Sequence, residues 1–270
     1  MLGSLYPLQD KKRLPLIYLL FAFVFPQVLV GINAGQVTFL VFFGLVACLW
    51  MIKREQWFWA GAILILTTIK PHLVILQFTY LLFYMIQKRK YEGWAGFFAT
   101  GIIFLVILFT LRPQLINDLV GLLKIAPTKW STPTIGGLLS YLGITEAGRY
   151  LVVLLLPLPF ILGKHQESIS VEFSIALLTL LNVPATFFGW SYDQTILLIP
   201  IAQTFQWLHR SKTNSLKIGV ILAIVIALGI NYSQRVTGIY EVYYVWVSLF
   251  WCLIFAITWF FAPGKIKHHE

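Results

Sequence analysis

The sequence contains few charged residues and only two cysteines. Charged side chains make up 11% of the 270 residues and hydrophobic ones 59%, whereas soluble domains carry about 25% charge. A water-soluble fold cannot bury this much apolar surface, so the composition predicts an all-α, polytopic integral membrane protein. Cys48 and Cys252 lie inside apolar runs, where we predict that they pack as small hydrophobic side chains rather than form a disulfide.

Motifs for nucleotides and metals are also missing. The chain has no Walker loop and no GxGxxG, which argues against a nucleotide-driven pump. His72, His165 and His209 show no metal-ligand spacing, so we predict no zinc or iron site and no cofactor. The sequence leaves metal dependence open.

Short basic patches alternate with apolar segments that are long enough to cross a bilayer. Lys and Arg are enriched in cytoplasmic loops, so we attribute the net charge of +10 to membrane orientation and predict no nucleic-acid partner. Both termini are predicted to be cytoplasmic. The patches are Lys11-Lys12-Arg13, Lys53-Arg54, Lys88-Arg89-Lys90, Lys164, Arg210/Lys212/Lys217 and Lys265/Lys267.

The apolar segments predict about ten transmembrane or re-entrant helices in a single domain over residues 1–270. The segment from Trp57 to Gln87 is apolar except at Lys70-Pro71-His72. One helix of that length would measure about 46 Å, against a hydrocarbon core of about 30 Å. We prefer two short helices that meet at Lys70-Pro71, because they keep Lys53 and Lys88 on one side. The other predicted spans are Leu14–Val30, Val37–Ile52, Tyr91–Leu111, Arg149–Leu162, Val171–Phe188, Thr195–Leu208, Ile218–Ile230 and Val242–Phe261.

Polar residues collect in the turns on the side opposite to most of the basic patches. Charge near membrane depth costs several kcal/mol unless it faces a partner or a wet cavity. An outward-facing polar cavity is therefore the default hypothesis for a functional site. The polar residues on this side are Asn33, Gln36, Lys70, His72, Arg112, Asp118, Lys124, Lys129, Tyr192, Asp193, Gln194, Asn231 and Arg235.

Lys70-Pro71-His72 is the most distinctive of these features. Pro71 is predicted to occupy the first position of the second helix, where backbone N–H groups are free at the positive end of the helix dipole. A lysine beside such a helix start predicts a phosphate pocket. The alternative is a lysine whose ammonium group simply reaches the outer interface.

The neighbouring polar residues also have two interpretations each. Asn33 and Gln36 either place amides over the pocket or serve the Gly-rich turn that contains them. Ser191 or Asp193 either caps the following helix or supplies an acid or a hydrogen-bond acceptor at the cavity rim. Arg235 either grips an anionic oxygen or contacts a lipid headgroup.

Two blocks of the sequence resemble the family-87 branch of GT-C glycosyltransferases. That branch has GQ at a helix start, a basic turn, an AG-led helix that ends in KP, a second basic turn, and later a YD pair. In the first block both order and spacing match, and the second block is weaker evidence. The matching residues are Gly35-Gln36, Lys53-Arg54, Ala60-Gly61, Lys70-Pro71, Lys88-Arg89-Lys90 and Trp190-Ser-Tyr-Asp-Gln194.

The resemblance implies a bacterial or archaeal plasma-membrane enzyme with its site facing outside. Such an enzyme transfers a sugar, often mannose, from a polyprenyl-phosphate donor to a lipid or glycan acceptor. The reaction would be an inverting displacement, in which a carboxylate base activates the acceptor hydroxyl. Lys70 would hold the lipid phosphate, and Gln36 and Asn33 would lie near the sugar or phosphate. The candidate substrate-binding set is Lys70, His72, Gln36, Asn33, Tyr192, Gln194 and Arg235.

One departure from the family pattern concerns the catalytic base. GT-C enzymes usually carry a catalytic Asp in the first outside loop and are longer than this chain. Here the only acid before Gln36 is Asp10, on the predicted cytoplasmic side. The family's first helices are therefore expected to be missing, and Asp193 is the first candidate for a base supplied from elsewhere. The second hypothesis is a non-catalytic binder of polyprenyl-phosphate sugars or a flippase-like transporter.

Overall fold

A computed structural model describes residues 14–124 and 130–261. The regular structure of these residues is helical. The α-helices in chain order are α1 (Leu14–Val24), α2 (Pro26–Asn33), α3 (Thr38–Lys53), α4 (Trp57–Leu64), α5 (Ile75–Gln87), α6 (Tyr91–Leu111), α7 (Leu115–Lys124), α8 (Ile135–Tyr141), α9 (Leu151–Leu155), α10 (Leu158–Lys164), α11 (Val171–Ala185), α12 (Leu198–Arg210), α13 (Asn214–Thr237) and α14 (Val245–Phe261).

Several of these helices are joined by short 3-10 helices, in which the backbone winds more tightly. The tighter winding changes the direction of the chain and brings side chains from distant segments together. The 3-10 helices are Ile65–Ile69, Pro71–Leu73, Ala147–Tyr150, Ser191–Leu197 and Glu241–Tyr244.

The apolar helices confirm the predicted all-α membrane class. Helix α6 has 21 residues, which rise about 31 Å and match the hydrocarbon core of a bilayer. Its apolar side chains are exposed along most of its length, as at Ile102 and Val106, so lipid is the solvent that suits them. The number of spans remains a prediction. The segments long and apolar enough to cross a membrane are Tyr91–Leu111, Ala147–Lys164, Asn214–Thr237 and Glu241–Phe261.

The segment from Trp57 to Gln87 folds back on itself, as the hairpin hypothesis predicted. The rings of Trp57 and Tyr84 lie 6.2 Å apart, so the start of α4 and the end of α5 meet. The turn is at Lys70, whose backbone is not helical (φ −133°, ψ 72°), because the residue before a proline avoids the helical region.

Glycines allow α4 and α6 to pack with their backbones in contact. A Cβ atom on Gly61 would lie 1.7 Å from the carbonyl oxygen of Gly93, and one on Gly96 would lie 2.0 Å from that of Phe58. Small residues at helix interfaces permit this approach in membranes. The contact fixes the first arm of the hairpin.

The molecule has two chemically different ends. We call the end with Lys53, Arg54 and Lys88 the basic end, where Lys53 Nζ pairs with Glu172 Oε1 at 2.7 Å. Helices α3 and α11 run between this end and the opposite one. We call the opposite end, which contains Lys70 and Asp193, the polar end.

Two predicted boundaries are wrong. The span Leu14–Val30 is broken at Phe25, because Pro26 lacks the N–H group that would continue the helix. The span predicted from Ile218 to Ile230 continues as a helix to Thr237, and Gly238 ends that helix with φ +66°, a conformation that favours glycine.

One further predicted span is interrupted in its interior, and some of the basic residues lie outside the described part of the chain. The span predicted from Arg149 to Leu162 consists of a 3-10 helix and two short α-helices, with Pro157 between them. The basic patches Lys11-Lys12-Arg13 and Lys265/Lys267, and also Lys129, lie outside the described residues.

The orientation of the two ends can be tested by cysteine labelling. In a background in which Cys48 and Cys252 are replaced by alanine, we expect Ala34→Cys to react with a membrane-impermeant maleimide in intact cells. Lys88→Cys should react only after permeabilisation, because short basic loops stay in the cytoplasm. The opposite labelling pattern would place the polar end in the cytoplasm.

Candidate functional site

The polar end is organised around the ammonium group of Lys70. Its Nζ donates to Asp193 Oδ1 at 2.8 Å and to Thr38 Oγ1 at 3.0 Å. Gln36 Oε1 lies at the longer distance of 3.4 Å. The Lys70 side chain is 17% exposed, so the charge is partly buried and still reachable from one side.

Asp193 is held from two directions by its two carboxylate oxygens. Oδ2 accepts the backbone N–H of Trp190 at 2.9 Å, and Trp190 is the N-cap of the 3-10 helix in which Asp193 occupies the third position. Oδ1 accepts from Lys70 and also from the hydroxyl of Thr38. The prediction that Ser191 or Asp193 is the N-cap is therefore wrong, because Trp190 holds that position. One oxygen of Asp193 satisfies the Trp190 N–H, and the other pairs with Lys70.

The position of Lys70 depends on helix α11, which holds the hairpin turn by its backbone. The side-chain amide of Asn182 donates to the carbonyl oxygens of His72 and Leu73 at 3.1 and 2.7 Å and accepts from Leu76 N at 3.3 Å. Thr186 donates to the same His72 carbonyl at 2.8 Å. These bonds satisfy backbone groups that would otherwise be buried without partners.

Removing the Asn182 amide should destabilise the protein measurably. In Asn182→Ala the Leu73 carbonyl and the Leu76 N–H lose their side-chain partner, and each unsatisfied buried group costs about 1–3 kcal/mol. We expect a loss of about 2 kcal/mol or more, seen as a thermal midpoint lowered by about 5 °C in detergent. Thr110→Ala, which removes an exposed hydroxyl on α6, should leave the midpoint nearly unchanged. Equal midpoints for both variants would show that α11 does not hold the turn.

The predicted helix start at Pro71 is different in the structure. Pro71–Leu73 is a 3-10 helix, and α5 begins only at Ile75. The N–H of Leu76 in its first turn is bonded to Asn182. An anion near Lys70 would therefore rely on side-chain donors rather than on a free helix N-terminus.

His72 lies in the turn between the two apolar helices, and its ring stacks on Phe188 with centroids 4.1 Å apart. Burial lowers the pKa of His72 to about 4, the Asp193 carboxylate opposes that shift, and the Lys70 ammonium adds to it. The imidazole is therefore neutral at physiological pH. It does not act as a second cation beside Lys70.

Tyr192 lies beside Lys70, whose Nζ is 5.0 Å from the centre of the phenol ring. Burial, followed by the Asp193 and Glu241 carboxylates, raises the pKa of Tyr192. The hydroxyl therefore stays protonated at neutral pH and is available as a hydrogen-bond donor.

Three predicted site residues are not joined to this cluster. Gln194 is buried and donates to the Tyr244 carbonyl at 3.0 Å. Asn33 is exposed at the end of α2, with no hydrogen bond to Lys70 or Asp193 in the described part of the chain. Arg235 pairs with Glu241 at 3.3 Å and stacks on the Tyr244 ring at 3.8 Å.

A second ion pair is connected to the cluster through the backbone. Glu241 accepts from the backbone N–H and the hydroxyl of Ser191, both at 3.1 Å. Because Ser191 begins the 3-10 helix that contains Asp193, the Arg235–Glu241 pair stabilises the segment that carries the Asp193 carboxylate. The pair Arg112–Asp118 is exposed at the start of α7.

Sequence reasoning missed several residues that build the site. Thr38 lies two positions after Gln36 and shares its helix start. Asn182 is an amide in the middle of an apolar span, and such a group requires a partner inside the membrane. The positions of Thr38 and Asn182 in the sequence therefore indicate a polar role for both residues. Glu241 and its contact with Ser191 have no comparable signal in the local sequence.

Among residues 14–124 and 130–261, no group of three or more His, Cys, Asp or Glu side chains is arranged to hold a metal ion. The chemistry that the cluster offers is ionic. A lysine ammonium can bind an anion and a carboxylate can accept a proton or a cation, while the Thr38 hydroxyl and the Gln36 amide can form hydrogen bonds to either.

The model of glycosyltransferase family 87 matches residues 2–163 of the chain, which is more than half of its length. The match includes Gln36, Thr38 and Lys70 and ends before Asp193. Comparisons with curated proteins and with solved structures found no match.

Proposed function

Because the chain belongs to glycosyltransferase family 87, a family of membrane glycosyltransferases, we propose that it transfers a sugar from a polyprenyl-phosphate donor. The sugar that we propose is mannose, and the acceptor lies on the extracytoplasmic face. The proposal rests mainly on one observation, which is the partly buried Lys70 ammonium paired with Asp193 at the polar end.

The donor phosphate would replace the Asp193 carboxylate as the ionic partner of Lys70. A cation at membrane depth requires a counter-charge, and in this structure the Asp193 carboxylate provides it. A phosphate monoester or diester presents more acceptor oxygens than one carboxylate oxygen and binds lysine as a charge-assisted partner. Donor binding therefore shifts Lys70 onto the phosphate and leaves Asp193 Oδ1 with the Thr38 hydroxyl as its remaining partner.

In this proposal Asp193 Oδ1, released from Lys70, acts as the general base. Oδ2 remains bonded to Trp190 N–H, so the carboxylate keeps its orientation when Oδ1 is released. The acceptor hydroxyl then transfers its proton to Oδ1, and its oxygen forms a bond to the anomeric carbon. The bond from that carbon to the phosphate oxygen breaks, and polyprenyl phosphate leaves with the electron pair, stabilised by Lys70.

The second candidate is a non-catalytic binder of polyprenyl-phosphate sugars or a flippase-like transporter. It is favoured by the engagement of both Asp193 oxygens, which leaves no carboxylate oxygen of this residue free in the present arrangement. This candidate needs Lys70 and does not need Asp193 as a base.

Turnover of a lipid-linked donor distinguishes the two functions. The purified chain in lipid nanodiscs is incubated with radiolabelled polyprenyl-phosphate mannose and octyl α-mannopyranoside as a probe acceptor. We expect labelled product and free polyprenyl phosphate, and no product from a nucleotide-linked mannose. Donor binding without turnover would support the binder, and turnover of the nucleotide sugar would contradict the proposal.

A further inference from the structure

Three aromatic rings form a row that starts beside Lys70. Tyr192 lies next to the ammonium group, and the rings of Tyr192 and Trp190 are stacked, with centroids 6.4 Å apart and planes inclined by 22°. The ring of Trp130 follows at 5.5 Å from Trp190. We call Tyr192, Trp190 and Trp130 the aromatic row.

Trp130 reaches the row from a separate segment of the chain. Its ring is 47% exposed, yet its backbone is fixed by a buried charge. Arg149, whose side chain is only 4% exposed, donates from Nη2 to the Trp130 carbonyl at 3.1 Å and to Ser140 Oγ at 3.1 Å. Its Nε pairs with Glu146 at 2.7 Å.

The segment that carries Trp130 is packed too closely for ordinary side chains. A Cβ atom on Gly137 would lie 2.1 Å from the carbonyl oxygen of Thr132, and one on Gly136 would lie 2.5 Å from the Arg149 backbone. Thr134 also caps α8 by accepting the Gly137 N–H at 2.9 Å. The half-exposed indole of Trp130 is therefore attached to a rigidly packed segment.

Aromatic rings at a membrane interface are common and need no ligand. A role in an interfacial belt, however, does not explain why Trp130 is fixed against Trp190. Its segment is held by the buried Arg149 and by the close packing at Gly136 and Gly137. Rigid, half-exposed aromatic faces offer a large contact area at low entropic cost. The apolar C–H face of a pyranose ring is a ligand that fits such a surface.

We propose that Trp190 and Trp130 form the acceptor subsite, on which a pyranose ring of the acceptor stacks. This inference rests on the proposed function and adds the residues that bind the acceptor to it. The donor phosphate lies at Lys70, the transferred sugar lies over Tyr192, and the acceptor ring follows along the aromatic row.

Binding of a simple glycoside tests the row without requiring turnover. Saturation-transfer NMR is recorded on the full chain in nanodiscs with octyl α-mannopyranoside, and octyl tetraethylene glycol serves as the probe without a sugar ring. We expect the pyranose ring protons to be saturated from the protein. Trp190→Leu should weaken glycoside binding about tenfold, whereas Trp190→Phe, which keeps a ring, should retain most of it.

Two controls separate this inference from the proposed function and from misfolding. Trp59→Leu, which removes an exposed indole from α4 at the basic end, should bind the glycoside normally. Farnesyl phosphate, which probes Lys70, should bind equally to the wild type and to Trp190→Leu. If Trp190→Leu loses farnesyl phosphate binding as well, Trp130→Leu becomes the deciding variant.

Two results would overturn the inference. One is glycoside binding no stronger than binding of octyl tetraethylene glycol. The other is unchanged glycoside affinity in a folded Trp190→Leu or Trp130→Leu variant. Either result leaves the proposal for Lys70 standing if farnesyl phosphate still binds.

Discussion

Lys70→Ala should weaken binding of farnesyl phosphate about 100-fold. The substitution removes the ammonium group that would pair with the phosphate, and loss of one member of a largely buried charged contact costs about 2–5 kcal/mol. The affinity is measured by titration of the purified chain in nanodiscs. Lys88→Ala is the matched control, because Lys88 is an exposed lysine at the basic end and should not affect binding.

The same substitution leaves Asp193 buried without its cation, so stability must be separated from binding. The Asp193 side chain is 4% exposed, and an uncompensated buried charge destabilises a protein by about 3–5 kcal/mol. The double variant Lys70→Ala/Asp193→Asn should therefore melt at a higher temperature than Lys70→Ala and still fail to bind farnesyl phosphate. Restored binding in the double variant would remove Lys70 from the site.

Asp193→Asn should lower the turnover of polyprenyl-phosphate mannose by about 100- to 10,000-fold, which is the range for loss of a general base. Binding of the donor should be equal to or tighter than in the wild type, because the amide no longer competes with the phosphate for Lys70. The two effects have opposite directions, so a purely structural role of Asp193 does not reproduce them. They are measured as single-turnover rate and donor affinity on one preparation.

The control for Asp193 is the carboxylate of a comparable ion pair. Glu172 pairs with Lys53 at 2.7 Å at the basic end, and Glu172→Gln should retain both turnover and donor affinity. Undiminished turnover in Asp193→Asn would exclude this residue as the base and would leave its bond to the Trp190 N–H as its role.

Lys70 could be identified from the sequence because it interrupts an apolar segment and precedes a proline. The same pattern predicted the hairpin, since a single helix would be too long for the bilayer. The pairing of Lys70 with Asp193 could not be predicted, because it joins residues far apart in the sequence and depends on the packing of α3, α5 and α11. No local pattern encodes such a contact.

Residues that are adjacent in the sequence do not all belong to the site. Asp193 and Gln194 are adjacent, yet the 3-10 helix directs Asp193 to Lys70 and Gln194 to the Tyr244 carbonyl. Conversely, Asn182 lies in an apolar span and supports the turn at Lys70. Its partners are backbone groups of another helix, which only the tertiary fold brings within reach.

The exchange of anions on Lys70 is the central claim, and a structure of the chain in nanodiscs with bound polyprenyl phosphate tests it most directly. The account predicts a phosphate oxygen about 3 Å from Lys70 Nζ and a separation of Lys70 Nζ from Asp193 Oδ1 well beyond the present 2.8 Å. A phosphate bound elsewhere, with the Lys70–Asp193 pair intact, would contradict it.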